Sequence, residues 1–147
     1  MTQPTDILST VRALVHCYQA FVMRSESHIR TLGLTPAQFD IVATLGNTPG
    51  MSCRDIGEKT LMVKGTLTGV LERLEKKRLI VRRENPQDKR SVLVELTPAG
   101  QRLFDRVFPA HLAWLAPAFG HLQAGEVAAL QRQLAALRQA LEATPRA

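Results

Sequence analysis

The stretch LIVRRENPQDKRSVLVELTP, residues 79–98, decides the fold. Leu79, Ile80 and Val81 open one apolar run; in a second, Val92, Val94 and Leu96 alternate with Leu93 and Glu95. Between them, Glu84 to Arg90 is polar and charged, with Pro86 as a turn former. A period of two on the far side of a polar turn predicts a β-hairpin with an extended, basic tip. Thr97 followed by Pro98 then predicts the cap and first residue of a helix.

Immediately upstream the period is helical. Ser52 is placed to cap a short helix running to about Thr60, with Ile56 facing inward. After a turn at Leu61-Met62, a second helix is predicted from about Val63 to Lys77, with Leu67, Val70, Leu71 and Leu74 on its core face. Two helices joined by so short a turn form a helix-turn-helix, and a hairpin directly after it is a wing.

Further out, Ile7, Val11, Leu14, Tyr18 and Phe21 mark one apolar stripe of a helix from Asp6 to about Leu32, which Gly33 ends. Thr35-Pro36 opens the next helix, which carries Phe39, Ile41, Val42 and Leu45 and stops at Asn47-Thr48-Pro49-Gly50. Beyond Pro98 a long helix heads towards Trp114, and Pro109 and Pro117 are expected to bend or break it. A final helix, from about Gln123 to Glu142, sets Val127, Leu130, Leu134, Leu137 and Leu141 at steps of three and four, a coiled-coil-like seam. With Ile7, Val11 and Leu14, that seam offers more apolar surface than a small winged domain covers, which predicts dimerisation. The expected fold is mainly α with a small β-hairpin wing. A winged helix-turn-helix lobe over 35–100 is flanked by dimerisation helices at 1–34 and 101–147, all in one domain.

Charge narrows the function. The chain of 147 residues carries a net charge of +6 and has a pI near 10.0. Twelve Lys/Arg face seven Asp/Glu between Ser52 and Arg102, whereas the flanking segments are nearly balanced. A localised basic face on a soluble chain points to nucleic acid. No stretch approaches the roughly 18 apolar residues of a membrane span, and the N-terminus lacks the pattern of a signal peptide, so cytoplasm and no membrane partner are expected. There is no Gly-rich phosphate loop, nucleophile motif or suggestive carboxylate pair, so neither an enzyme nor a cofactor is expected. Cys17 and Cys53 lack zinc-site spacing, and the four histidines make no i, i+4 pair, so no metal site is expected either.

Candidate DNA contacts follow from residue type. Lys64 and Arg73 on the second helix of the motif can donate to guanine edges or phosphates. Thr66 and Thr68 add hydroxyls and thymine-compatible methyls, and Gly65 lets the backbone approach closely. Ser52 and Arg54, at the start of the preceding helix, suit a phosphate. On the hairpin, Lys89 and Arg90 suit a minor groove, and Asp88 is positioned to pair with Arg90 and fix its guanidinium. Arg82 and Arg83 lie on the rising strand, and at least one of them, Arg82 as the candidate contact, is expected to point towards the DNA backbone. The same face binding a protein is the alternative from another class.

With Leu34-Thr35-Pro36-Ala37-Gln38-Phe39, the run Gly65-Thr66-Leu67-Thr68 through Leu74-Glu75-Lys76, and above all Asp88-Lys89-Arg90-Ser91 followed by Val92 to Gly100, the sequence resembles the MarR family over nearly its whole length. The resemblance implies a homodimer with intertwined terminal helices, a recognition helix in each major groove and a wing in the neighbouring minor groove. It implies an inverted-repeat operator in double-stranded DNA, and repression. Asp88 and Arg90 match the family's wing pair, and Lys64, Thr66, Thr68 and Arg73 match positions that commonly contact DNA. Such regulators are released by small aromatic or phenolic acids, by thiol oxidation or by zinc. For an organic effector, the polar residues placed to line a pocket are His16, Arg24, Gln38, Asp40 and His111. For a redox switch the thiols are Cys17, read as a buried and inert residue, and Cys53, in an electropositive first turn beside Arg54.

Overall fold

The computed structural model describes residues 1–147. Its elements run α1 (Pro4–Thr31), α2 (Pro36–Leu45), β1 (Met51–Ser52), α3 (Cys53–Thr60), α4 (Lys64–Lys76), β2 (Ile80–Glu84), β3 (Val92–Leu96), α5 (Pro98–Phe119) and α6 (Ala124–Ala143). They are grouped in two compact units, Met1–Leu112 and Ala113–Ala147.

Local chemistry sets most boundaries. The Thr35 side chain accepts from the Gln38 N–H while Gln38 Oε1 accepts from the Thr35 N–H, a reciprocal capping box that starts α2. Ser52 Oγ accepts from the Asp55 N–H, and Thr97 Oγ1 from the Gly100 N–H, doing the same for α3 and α5. Gly33, at φ +80°, turns the chain out of α1 in the left-handed region that glycine adopts without strain.

In the first unit, Ile41, Val42 and Leu45 of α2, Ile56 of α3, and Leu71 and Leu74 of α4 close over Ile80 and Val94 of the sheet. Each is almost fully buried, worth about 1.5–3 kcal/mol per side chain. A second cluster, Ile29, Leu34, Phe39 and Val107, ties the end of α1 to α2 and α5. The rest of α1 has no such seat; its buried residues are Ser25 and Ile29 alone.

The sheet is antiparallel in the order β1-β3-β2, with Ile80 opposite Leu96 and Glu84 opposite Val92. The sequence predicts two strands, and β1 is a third. Two residues carry no period, so β1 is defined only by its pairing of Met51 with Val94 and Ser52 with Leu93. Gly50, at φ +100°, leads into it where an added Cβ would lie 2.8 Å from the Val94 carbonyl oxygen.

α5 also departs from expectation: it runs unbroken through Pro109 and Pro117. Each proline removes one N–H and leaves one carbonyl of the preceding turn without its partner. Pro109 and Pro117 are exposed, so water can serve those carbonyls, and the remaining hydrogen bonds carry the helix through. In the second unit, the Gln123 N–H donates to Glu126 Oε2 at 2.8 Å at the start of α6, none of whose residues is buried within the single chain.

Candidate nucleic-acid interface

α4 is held from below and bare above. Leu67, Val70, Leu71 and Leu74 fix one face in the core, which leaves Lys64, Thr66, Thr68 and Arg73 exposed. Thr68 Oγ1 donates to the Lys64 carbonyl at 2.9 Å, so its hydroxyl proton is already used, while its lone pairs and methyl are not. At Gly65 an added Cβ would meet nothing within 4 Å. No neighbour within the chain requires a glycine there, so the missing side chain clears space outside the molecule.

The hairpin is built from two side-chain turns. Asn85 Oδ1 accepts from the Gln87 N–H, and Asp88 Oδ1 accepts from the Arg90 N–H, both at 3.0 Å. The Ser91 N–H donates to the Asp88 carbonyl at 3.1 Å and the Asn85 amide to Ser91 Oγ at 3.1 Å, closing the loop. Asp88 therefore does not pair with the Arg90 guanidinium, as the sequence reading expected. At a spacing of two residues the short carboxylate reaches the backbone N–H instead, and it fixes the path of the chain at Arg90. The Lys89 and Arg90 side chains are exposed at the tip.

A groove of about 890 Å³ runs between this loop and the β1–α3 junction, so Ser52 and Arg54 lie opposite Asn85, Gln87 and Asp88. Arg54 lies within 3.3 Å of Glu58 on the same helix, an exposed pair worth little. Arg82 is half-buried, with Nε 3.4 Å from Glu75 of α4 but without hydrogen-bond geometry. This ion pair ties β2 to α4. Arg83 pairs with Glu95 across the hairpin at 2.7 Å.

The five polar residues named for an organic effector lie in different settings. His16 and Arg24 are exposed on α1, and the Gln38 Oε1 is engaged in its capping box. Asp40 is half-buried, and burial holds its carboxyl above the usual range. His111 is buried against Ser25 and His28, neither of them named for the pocket, and against Phe39. Its Nε2 lies 3.0 Å from Ser25 Oγ, its Nδ1 lies 3.0 Å from His28 Nδ1, and the edge of Phe39 packs on its ring. The spacing of Ser25, His28 and Ile29 on one face of α1 was the available signal. Burial first, then the charge of His28, hold His111 below the ordinary imidazole pKa.

Of the thiols, Cys17 departs from the buried placement expected of it: it is exposed, because this part of α1 packs against nothing in its own chain. Cys53 is the first residue of α3, beside Arg54, and is partly buried against the main core. No group of three or more His, Cys, Asp or Glu converges as a metal site would require. No helix is long and apolar enough to cross a membrane.

A family model described as the MarR family matches residues 34–92, from just before α2 to the first residue of β3. The chain is 34% identical over 111 residues to the uncharacterized HTH-type transcriptional regulator YkoM of Bacillus subtilis (strain 168), covering 74% of this chain and 72% of that one. Among solved structures it superposes on BpsR of Bordetella bronchiseptica, whose DNA binding is regulated by 6-hydroxynicotinic acid. The TM-score is 0.76 at 30% identity, over 88% of this chain and 98% of that one. AbsC of Streptomyces coelicolor superposes with a TM-score of 0.84 over 98% of this chain and 99% of that one. At 22% identity, this is a likeness of fold.

Proposed function

The chain belongs to the MarR family, and from that premise we propose a homodimeric, sequence-specific DNA-binding regulator that represses at an inverted-repeat operator. The observation that carries the reading is the pairing of two exposed cationic devices on one lobe: Lys64 to Arg73 on α4, and Lys89 with Arg90 on the hairpin. In this reading α4 enters the major groove, where Lys64, Thr66 and Thr68 meet base edges and Arg73 a phosphate. Arg90 enters the adjacent minor groove, Ser52 and Arg54 meet a phosphate, and Asp88 and Arg82 act as positioning residues.

Residues 35–100 form the DNA-binding lobe, and segments 1–34 and 101–147 supply the dimer contact. Ile7, Val11, Leu14, Leu130, Leu134 and Leu141 are all exposed in the single chain, an apolar area that a second copy would cover. The protein works on the genome in the cytoplasm and has no catalytic step. Its effector is a small aromatic or phenolic acid, as the likeness to BpsR suggests. The buried Ser25 and His111 and the half-buried His28, beside Phe39, offer such an acid imidazole and hydroxyl donors next to an aromatic ring.

Fluorescence anisotropy on the DNA upstream of its own gene, against scrambled DNA at several salt concentrations, tests the reading. Preference for the native fragment by about a thousandfold or more at physiological salt is the expected result. Weak, equal and steeply salt-dependent binding to both would mean an architectural binder. Absence of binding would turn the same face into a protein-interaction surface. Adding 6-hydroxynicotinic acid to the complex tests release in the same cuvette.

A further inference from the structure

Two side chains at the mouth of α4 answer to nothing in the fold. Within residues 35–100 the large apolar side chains left exposed are Leu61, Val63 and Val92; Leu61 is 88% exposed and Val63 71%. Between the first two, Met62 packs against the main core, so the turn runs outward, inward, outward and is pinned at its centre.

The local backbone argues against both residue types. Leu61 sits at φ +58°, the left-handed region where glycine or asparagine is at ease and a branched, bulky side chain is not. Val63 is the cap of α4 and makes no side-chain cap bond, where serine, threonine or aspartate would satisfy an N–H. Two exposed apolar residues at positions that disfavour them are positions where local rules yield to function.

Lys64 follows directly, on the face assigned to the major groove. On base edges in that groove, the one apolar group is the C5-methyl of thymine. We infer that Leu61 and Val63 are specificity residues that read thymine methyls at the start of each recognition helix, selecting a thymine-bearing step in each half-site. This rests on the DNA-binding reading above and deepens it. Lys64 donates hydrogen bonds, and Thr66 and Thr68 offer a hydroxyl oxygen beside one small methyl, whereas these two side chains are wholly apolar: they exclude water from a methyl group and so discriminate thymine from cytosine without any hydrogen bond.

Deoxyuridine lacks only the methyl group and is the probe. Sites are selected from a random duplex pool with the full-length protein, and each thymine of one selected half-site is then replaced by deoxyuridine and its affinity measured. The expected result is one or two thymines at which the wild type loses about fourfold, the value of one buried methyl group. That loss disappears in Val63→Ser or Leu61→Asn. Both substitutions suit their backbone positions, so folding is preserved and is checked by the thermal midpoint. Deoxyuridine without effect at every thymine, or with the same effect in both variants as in wild type, overturns the inference while leaving sequence-specific binding intact. A pool from which no sequence is enriched overturns the DNA-binding reading itself, and this inference with it.

Discussion

At the scale of single residues, the hairpin tip separates what a side chain does to DNA from what it does to its own chain. Arg90 is exposed and unpaired, so Arg90→Ala should cost about 1–3 kcal/mol of operator affinity and leave the thermal midpoint unchanged. Asp88 acts through the Arg90 N–H, a bond that needs an acceptor oxygen and no charge. Asp88→Asn should therefore bind nearly as wild type while Asp88→Ala weakens binding. If Asn were as damaging as Ala, a carboxylate–guanidinium pair would be the better account. His111 makes a different prediction. Its imidazole is held below the ordinary value of 6.5, so the fold favours the neutral form and the unfolded chain takes up a proton first as pH falls. The stability it contributes is full above 6.5 and is lost as pH falls through that value towards the folded pKa. Asp40, raised above 3.8 by burial, has the opposite sign and a window in the acidic range. The thermal midpoint should therefore drop as pH falls below 6.5, and His111→Gln should flatten that slope; an unchanged slope would assign the titration elsewhere.

At the scale of elements, close backbone approach is the constraint to test. Gly100, in the first turn of α5, faces the Leu79 carbonyl oxygen so closely that an added Cβ would collide with it. That same oxygen accepts from the Thr97 N–H at 3.0 Å, so the two backbones cannot part without losing the bond that joins the wing to α5. Gly100→Ala should destabilise by about 1–3 kcal/mol in thermal or urea unfolding, since no rotamer relieves a clash with backbone. The elements most legible in the sequence share a property: they are set by neighbours close in the chain. Thr35, Ser52 and Thr97 announce their helices through bonds three residues on, and Leu67 to Leu74 announce a buried face by period. What stayed hidden depends on distant partners. β1 exists only because β3 lies beside it, and His111 finds Ser25 and His28 from the far end of the first unit. α5 resisted reading for another reason, because a proline weakens a helix locally and only the sum over flanking turns decides whether it breaks. In the interface, residue types and exposure were legible; the direction of the Asp88 bond was not, because spacing alone does not say whether a carboxylate reaches backbone or side chain.

At the scale of the whole molecule, the question is how a lobe of modest charge becomes a specific binder. Twelve cations against seven anions between Ser52 and Arg102 give attraction to any DNA, and that attraction fades with salt. Joining two lobes multiplies the discrimination of each, because the second lobe binds at the effective concentration set by the first. The joint must therefore be apolar surface outside the lobe. Leu130, Leu134 and Leu141 of α6 are exposed in the single chain, and α6 buries no residue at all. A helix with that pattern is stable only when something covers it. Leu134→Asp places a charge where burial would leave it unpaired, at a cost the dimer cannot absorb. Analytical sedimentation should then show the monomer mass, and operator affinity should fall by about 10²–10⁴-fold while the core of the winged lobe melts as before. The two readouts must move together. A variant that stays dimeric places the contact on other residues of these helices, and one that becomes monomeric yet keeps its affinity means that a single lobe carries the specificity.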